Sequence, residues 1–153
     1  MENLERIIAE CPFFAGLDHA YLNLIVGCAS NVRFEAGSYV FKEGTPADTF
    51  YLIREGKVAI EIFAPQRKPI IVSTVGEGEI VGWSWLLPPY VWKFHGHAVQ
   101  SVRAIALDGK CLRAKCEENH DLGYEILKRV VQIVEHRLDE ARFQQVDVYA
   151  VQR

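Results

Sequence analysis

The hydrophobic pattern of the chain changes its period twice. Apolar residues recur at helical spacing over the first thirty residues, at alternate positions over residues 31–108, and at helical spacing again from residue 109. Glycines separate the short β-rich runs, at positions where turns need a positive φ. The pattern predicts one mainly-β domain, a sandwich or a barrel, with helices at both ends of the chain.

Individual elements follow from local signals. Leu4, Ile7 and Ile8 share one helical face, and Asp18 can cap a second helix. Glu55 and Gly56 separate two β-rich runs and predict a hairpin. Six strands are predicted in all: Val32–Glu35, Tyr39–Lys42, Phe50–Arg54, Val58–Phe63, Ile70–Val75 and Ala98–Leu107.

A long helix is predicted from about Asp121 to Gln145, and it carries two apolar stripes. The first stripe has the 4-3-4-3 spacing of a coiled-coil seam and consists of Leu127, Val131, Val134, Leu138 and Ala141, of which the first four form the predicted dimer seam. The second stripe lies beside it and consists of Ile126, Val130 and Ile133. We predict that one stripe packs on the barrel and that the seam joins two copies in a homodimer. The alternative is a single broad stripe buried within one chain.

Length and charge exclude several classes of protein. The 153 residues suffice for one domain. A net charge of -3 provides no general attraction to nucleic acid or to an acidic membrane. The uncharged run Ile80–Trp92 is shorter than the roughly 20 residues of a membrane helix. The acidic N-terminal residues are unlike an export signal, so we expect a cytoplasmic protein without membrane contact.

Four cysteines occur, and their spacing fits neither a zinc ribbon nor a thioredoxin motif. Cys11, Cys28, Cys111 and Cys116 are therefore predicted to be buried reduced thiols.

The segment Phe34–Val58, with Gly37, Gly44 and Gly56 in its turns, closely resembles the cyclic nucleotide-binding domain of the catabolite activator protein, the Crp/Fnr regulators and kinase regulatory subunits. The opening Phe13–Leu17 and the long last helix are also similar to that family. The resemblance implies a jelly-roll (double-stranded β-helix) barrel and a regulatory, non-enzymatic role. Crp/Fnr regulators continue into a helix-turn-helix, for which too few residues follow Gln145, so we expect no direct DNA binding by this chain.

In the family, a cassette binds the cyclic phosphate through a short helix, a glutamate holds the ribose and an arginine neutralises the phosphate. Here Gly82 matches the cassette glycine, Trp83 stands at the glutamate position, and no arginine occurs from Lys68 to Val102. Losing two charge-assisted hydrogen bonds removes roughly 3 to 6 kcal/mol, so cyclic AMP and cyclic GMP should bind weakly at best. The candidate ligand-binding residues are Gly82, Trp83, Ser84, Trp85, Leu86, Trp92 and Lys93.

All three tryptophans of the chain lie in this cassette segment. They are suited to wall a pocket for an apolar or aromatic effector of unknown identity. Alternatively, they fill a pocket that no longer binds a ligand and leave a dimerisation or scaffold module that docks a partner protein. No cofactor is implied.

A second class of function rests on His95 and His97. Alternation on a strand places both imidazoles on one side, as in the metal sites of cupins, which share the jelly roll. No carboxylate follows within the next six residues. A metal-dependent enzyme is therefore the weaker alternative, and no metal site is assigned.

Overall fold

The computed structural model describes residues 3–66 and 68–151, with side chains of the last helix described as far as Phe143. Two helices, joined by a 3₁₀ turn at Pro12–Phe14, precede eight strands, and two helices follow them. The helices are α1 (Leu4–Glu10), α2 (His19–Val26), α3 (Gly109–Glu118) and α4 (His120–Val151). The strands are β1 (Ala29–Phe34), β2 (Tyr39–Phe41), β3 (Thr49–Glu55), β4 (Val58–Ile62), β5 (Ile70–Val75), β6 (Ile80–Val81), β7 (His95–Ala98) and β8 (Val102–Asp108).

The strands form two four-stranded antiparallel sheets with the orders β1-β8-β3-β6 and β2-β7-β4-β5. Two apolar clusters hold them. The first includes Phe41, Ile53, Val58 and Trp92 and contains residues from both sheets. The second includes Phe50 and joins β3 and β8 to all four helices. This arrangement confirms the predicted jelly roll with helices at both ends.

The helix caps follow the sequence signals. The Asp18 carboxylate accepts a hydrogen bond from the Ala20 amide at 2.9 Å and caps α2. The Asn119 side chain accepts one from the Leu122 amide at 3.2 Å at the start of α4. Helix α4 extends beyond the predicted end at Gln145 to Val151, and β1 begins two residues before the predicted barrel boundary at residue 31.

Helix α4 buries one of its two apolar stripes and exposes the other. Leu122, Ile126 and Val130 are buried against the helix-side core, and Ile133 packs beside them. The four seam residues are 38% to 54% exposed. The single chain therefore does not bury them, which rules out one broad intramolecular stripe.

Two details of the predicted strands are wrong. The turn at Glu55 and Gly56 does not form a hairpin, because β3 pairs with β6 and β8 while β4 pairs with β5 and β7. The chain crosses from one sheet to the other there, and Gly56 has a φ of +91°. The predicted strand Ala98–Leu107 is two strands, β7 and β8, in different sheets. Alternation is the same in both arrangements, so period alone could not separate them.

Cys28 and Cys111 form a disulfide across a separation of 83 residues, so the prediction of reduced thiols is wrong for this pair. The pairing of β1 with β8 brings Ala29 opposite Leu107, and the Asp108 amide donates to the Cys28 carbonyl at 2.8 Å. Cys28, which directly precedes β1, and Cys111, in the first turn of α3 after β8, are thereby adjacent. Cys11 and Cys116 are free and buried, and burial raises the pKa of both thiols.

Reducing this disulfide should lower the free energy of unfolding by about 2 to 4 kcal/mol, because the cross-link restricts the unfolded chain. Urea unfolding with and without a phosphine reductant measures the difference. Cys28→Ala is the control, because its stability should not respond to the reductant. An equal response in Cys28→Ala would place the effect at another site.

Candidate functional site

A cavity of about 380 Å³ lies between helix α4, the β4–β5 hairpin and the segment that follows β6. We call it the α4 cavity. Its wall is mainly apolar, and four polar or charged residues, Ser73, Trp83, Arg137 and Glu140, contribute to it. The apolar lining residues are Ile60, Ile62, Val72, Phe94, Val134, Leu138 and Ala141.

Arg137 and Trp83 form the polar side of this cavity. The Arg137 guanidinium carbon lies 5.4 Å from the centre of the Trp83 ring, within cation–π range. Burial lowers the pKa of Arg137, and the nearby Glu140 and Glu79 carboxylates oppose that shift. An arginine remains charged in proteins, so the cavity has a half-buried cation over an aromatic face.

Glu140 is held by other residues. One of its carboxylate oxygens accepts a hydrogen bond from the Ser73 hydroxyl at 3.1 Å. The other lies 3.1 Å from Nε2 of His136. The Ser73 contact connects α4 to β5 at the rim of the cavity, and the His136 contact lies within α4.

The segment from Gly82 to Phe94 is irregular. Ser84, Trp85 and Leu86 form a turn, unlike the short helix that the resemblance to the family's cassette implies, and the Leu86 amide donates to the Trp83 carbonyl at 3.1 Å. A helix N-terminus is thus not available at Ser84. Lys93 is exposed and does not line the α4 cavity.

Trp85 and Trp92 are core residues and do not line the α4 cavity. Trp85 is 1% exposed and stacks on Phe50, with ring centres 4.6 Å apart. Trp92 is 6% exposed and stacks on Phe41 at 3.7 Å. Of the candidate ligand-binding residues, only Trp83 lines this cavity. Trp85 and Trp92 pack in the core against Phe50 and Phe41, and the remaining candidates lie in or beside the turn.

Arg113 on α3 fastens this segment to the helices. Its guanidinium carbon lies 3.8 Å from the centre of the Tyr90 ring, and Nη1 donates a hydrogen bond to the Trp85 carbonyl. Neither partner could be chosen from the sequence, since they come from elements about 25 residues apart. Arg113 therefore fixes the segment that directly follows Trp83.

His95 and His97 lie on one side of β7, as alternation predicted, and the Tyr39 ring contacts both. Nδ1 of His97 is 3.1 Å from the buried Glu61 carboxylate, and Nε2 is 3.1 Å from the Gly37 carbonyl. Within the part of the chain that the structure describes, no group of three or more His, Cys, Asp or Glu residues is arranged to hold a metal ion. Both nitrogens of His97 thus have protein partners.

A family model, the cyclic nucleotide-binding domain, matches residues 31–119. The chain belongs to this family. The matched part contains β1 from Asn31 onward, the whole of β2 to β8, and α3.

Relatives agree with this assignment of the cyclic nucleotide-binding domain. The chain is 25% identical over 125 residues to the CRP-like cAMP-activated global transcriptional regulator of Mycobacterium tuberculosis, covering 82% of this chain and 56% of that protein. It is 32% identical, with a TM-score of 0.78, to a protein of Geobacter metallireducens assigned as cyclic nucleotide-binding, covering 90% of this chain and 99% of the other. It is 26% identical, with a TM-score of 0.68, to the N-terminal domain of a Streptomyces coelicolor transcriptional regulator, covering 87% and 93%.

The chain spans about half the length of the mycobacterial regulator that it matches. It is a regulatory domain of the cyclic nucleotide-binding type. No described helix combines the length and apolar character that a membrane span requires.

The sequence analysis missed Arg137, the cation of the α4 cavity. The signal was present, because Arg137 continues the buried stripe of Ile126, Val130 and Ile133 with the same 4-3-4 spacing. A charged residue on a buried stripe indicates a cavity or a partner at that point. The family's cassette corresponds to residues 78–98, whereas Arg137 belongs to α4.

Proposed function

We propose that this domain is a sensor that binds a small effector with an apolar body in the α4 cavity. The effector would change the position of α4, through which two copies associate as a homodimer, and would thereby alter the interaction with a partner protein. The observation that carries this proposal is that Val134 and Leu138 belong both to the cavity wall and to the exposed seam. An effector that touches these side chains changes the same face of α4 that would join two copies.

The cavity has the size and lining expected of a small-molecule site. Ligand pockets are commonly about 300 to 1,000 Å³, mainly apolar, with a few polar groups that fix orientation. Trp83 contributes an aromatic wall in place of the ribose carboxylate of the family's cassette. Cyclic AMP and cyclic GMP therefore lose both of their charged partners in the cassette, and we expect them to bind more weakly than about 1 μM, or roughly 8 kcal/mol.

The scaffold alternative has one observation in its favour, which is the burial of Trp85 and Trp92 in the core. In that case the α4 cavity would take no ligand, and the exposed seam alone would act. The metal-enzyme alternative has less support, because His97 already contacts Glu61 and Gly37.

Titration with N-phenyl-1-naphthylamine, a neutral aromatic fluorophore, tests the cavity. We expect saturable binding at one site per chain, quenching of Trp83 emission, and about 5- to 30-fold weaker binding to Ile62→Asn, the effect of losing roughly 1 to 2 kcal/mol of apolar contact. Calorimetry with cyclic AMP and cyclic GMP is done on the same preparation.

Ile71→Asn is the matched control. Like Ile62, Ile71 is an exposed isoleucine of the β4–β5 hairpin, but it does not line the α4 cavity. Equal losses in the two variants, or no saturable binding to wild type, would overturn the proposed effector site and favour the scaffold. A dissociation constant below 1 μM for either cyclic nucleotide would show that other groups replace the lost carboxylate and arginine.

A further inference from the structure

The Arg137 guanidinium of the α4 cavity has no hydrogen-bond acceptor among the described residues. No ion pair with a described residue involves it either; it lies over the face of Trp83, and the Glu140 and Glu79 carboxylates act on it only through space. Five N–H donors of a guanidinium that is partly removed from water need acceptors. The position of Arg137 therefore leaves unmet hydrogen-bonding capacity beside an apolar cavity.

The nearest carboxylates do not meet this demand. Glu140 already contacts Ser73 and His136 through its two oxygens. Glu79 lines a second cavity of about 360 Å³, which Arg137 also lines together with Arg129 and His136. The α4 cavity is the more apolar of the two, and Arg137 is its one lysine or arginine among the described residues, whereas the second cavity also contains Arg129, bonded to Glu125 and to the Ala15 carbonyl.

The Gly82–Phe94 segment does not provide a competing cation. No arginine occurs in it, and Lys93 is exposed and outside the α4 cavity. The cation–π contact with Trp83 favours this position of the guanidinium, which reduces the entropy lost when it binds a ligand. A planar guanidinium held in this way is suited to the two oxygens of a carboxylate, a sulfonate or a phosphate.

We propose that the effector is an organic anion, whose apolar body packs on Ile60, Val72 and Phe94 and whose anionic group is bound by Arg137. This inference rests on the proposed function and specifies its ligand class. Arg137 thus acts as the specificity-determining residue of the cavity, and it is supplied by α4 and not by the family's cassette.

A matched pair of probes tests the charge requirement. 8-Anilinonaphthalene-1-sulfonate differs from N-phenyl-1-naphthylamine by its sulfonate group, so the ratio of their affinities isolates the anionic group. We expect the sulfonate to bind wild type about 10- to 100-fold more tightly than the neutral probe, which is the range of a charge-assisted hydrogen bond. Arg137→Gln should abolish that preference, so that the two probes bind the variant with equal affinity.

Arg142→Gln is the control on the same helix, because Arg142 is an exposed arginine paired with Asp139 and does not line the α4 cavity. Its sulfonate preference should equal that of wild type. Circular dichroism confirms that each variant is folded.

Three outcomes separate the two proposals. If the neutral probe binds in the cavity and Arg137→Gln keeps the sulfonate preference, the anion inference is wrong and the effector site stands. If Arg142→Gln loses the preference as fully as Arg137→Gln, the helix charge and not Arg137 is responsible, which also overturns the inference. If neither probe responds to Ile62→Asn, the proposed effector site itself fails.

Discussion

Val131→Glu should convert the proposed homodimer into a folded monomer. Val131 is 54% exposed in the single chain, so the substitution does not disturb the core on which α4 packs. In a two-fold dimer each seam residue is buried against the partner's seam, and two facing carboxylates would lose their water. We expect association to weaken by about 2 to 4 kcal/mol, or roughly 30- to 1,000-fold, in equilibrium sedimentation.

Gln132→Glu is the matched control for Val131→Glu. It adds the same charge at the next position of α4, where the side chain is exposed but outside the seam. Its association should equal that of wild type. Wild-type protein that sediments as a monomer at about 100 μM would show that the exposed seam does not join two copies. Val131 is chosen in preference to Leu138, because Leu138 also lines the α4 cavity and would confuse dimerisation with effector binding.

Gly82→Ala should lower the free energy of unfolding by about 2 to 5 kcal/mol. Gly82 has a φ of +101°, and a Cβ there would lie 2.8 Å from Cζ3 of Trp92. Trp92 cannot move aside easily, because it is stacked on Phe41 between the sheets. The cost combines backbone strain of about 1 to 2 kcal/mol with overpacking of about 1 to 3 kcal/mol.

Gly37→Ala separates these two costs. Gly37 has a φ of +91°, and a Cβ there would meet no heavy atom within 4 Å. Its loss should be limited to backbone strain, about 1 to 2 kcal/mol. Urea unfolding of both variants at one protein concentration keeps any dimer contribution equal. Equal losses would mean that Trp92 yields to the added methyl group and that Gly82 does not hold it in place.

Gly82 has a packing role in this chain, although it matches the glycine of the family's cassette. The glycine matches the family's pattern, yet its neighbour in the structure is an indole of the protein. A glycine retained at this position therefore does not by itself indicate a cyclic nucleotide. The same applies to Trp92, whose indole stacks on Phe41 in the core and does not line the α4 cavity.

The order of elements could be predicted from the sequence because it depends on short-range signals. The change of period at about residues 31 and 108, the cap at Asp18 and the glycine turns each act over a few residues. The two stripes of α4 could also be predicted, because helical geometry places residues three and four positions apart on one face. Ile126, Val130 and Ile133 therefore form one stripe, and Leu127, Val131 and Val134 form the next. These signals determined the mainly-β fold, the long helix and its exposed apolar seam.

Pairing between distant segments was decided only by the tertiary structure. The bond between Cys28 and Cys111 depends on the register of β1 with β8, which no local pattern encodes. The same holds for the sheet change at Gly56, where two consecutive strands alternate as a hairpin would and yet join different sheets.

The candidate site shows the same division most clearly. The sequence alone determined that the cassette segment has no arginine and contains all three tryptophans. Only the tertiary structure decided that Trp85 and Trp92 are buried in the core. It also decided that Trp83 and Arg137 of α4 line the same cavity. The physical reason is that a cation and an aromatic ring more than fifty positions apart interact only after a sheet and a helix have packed together.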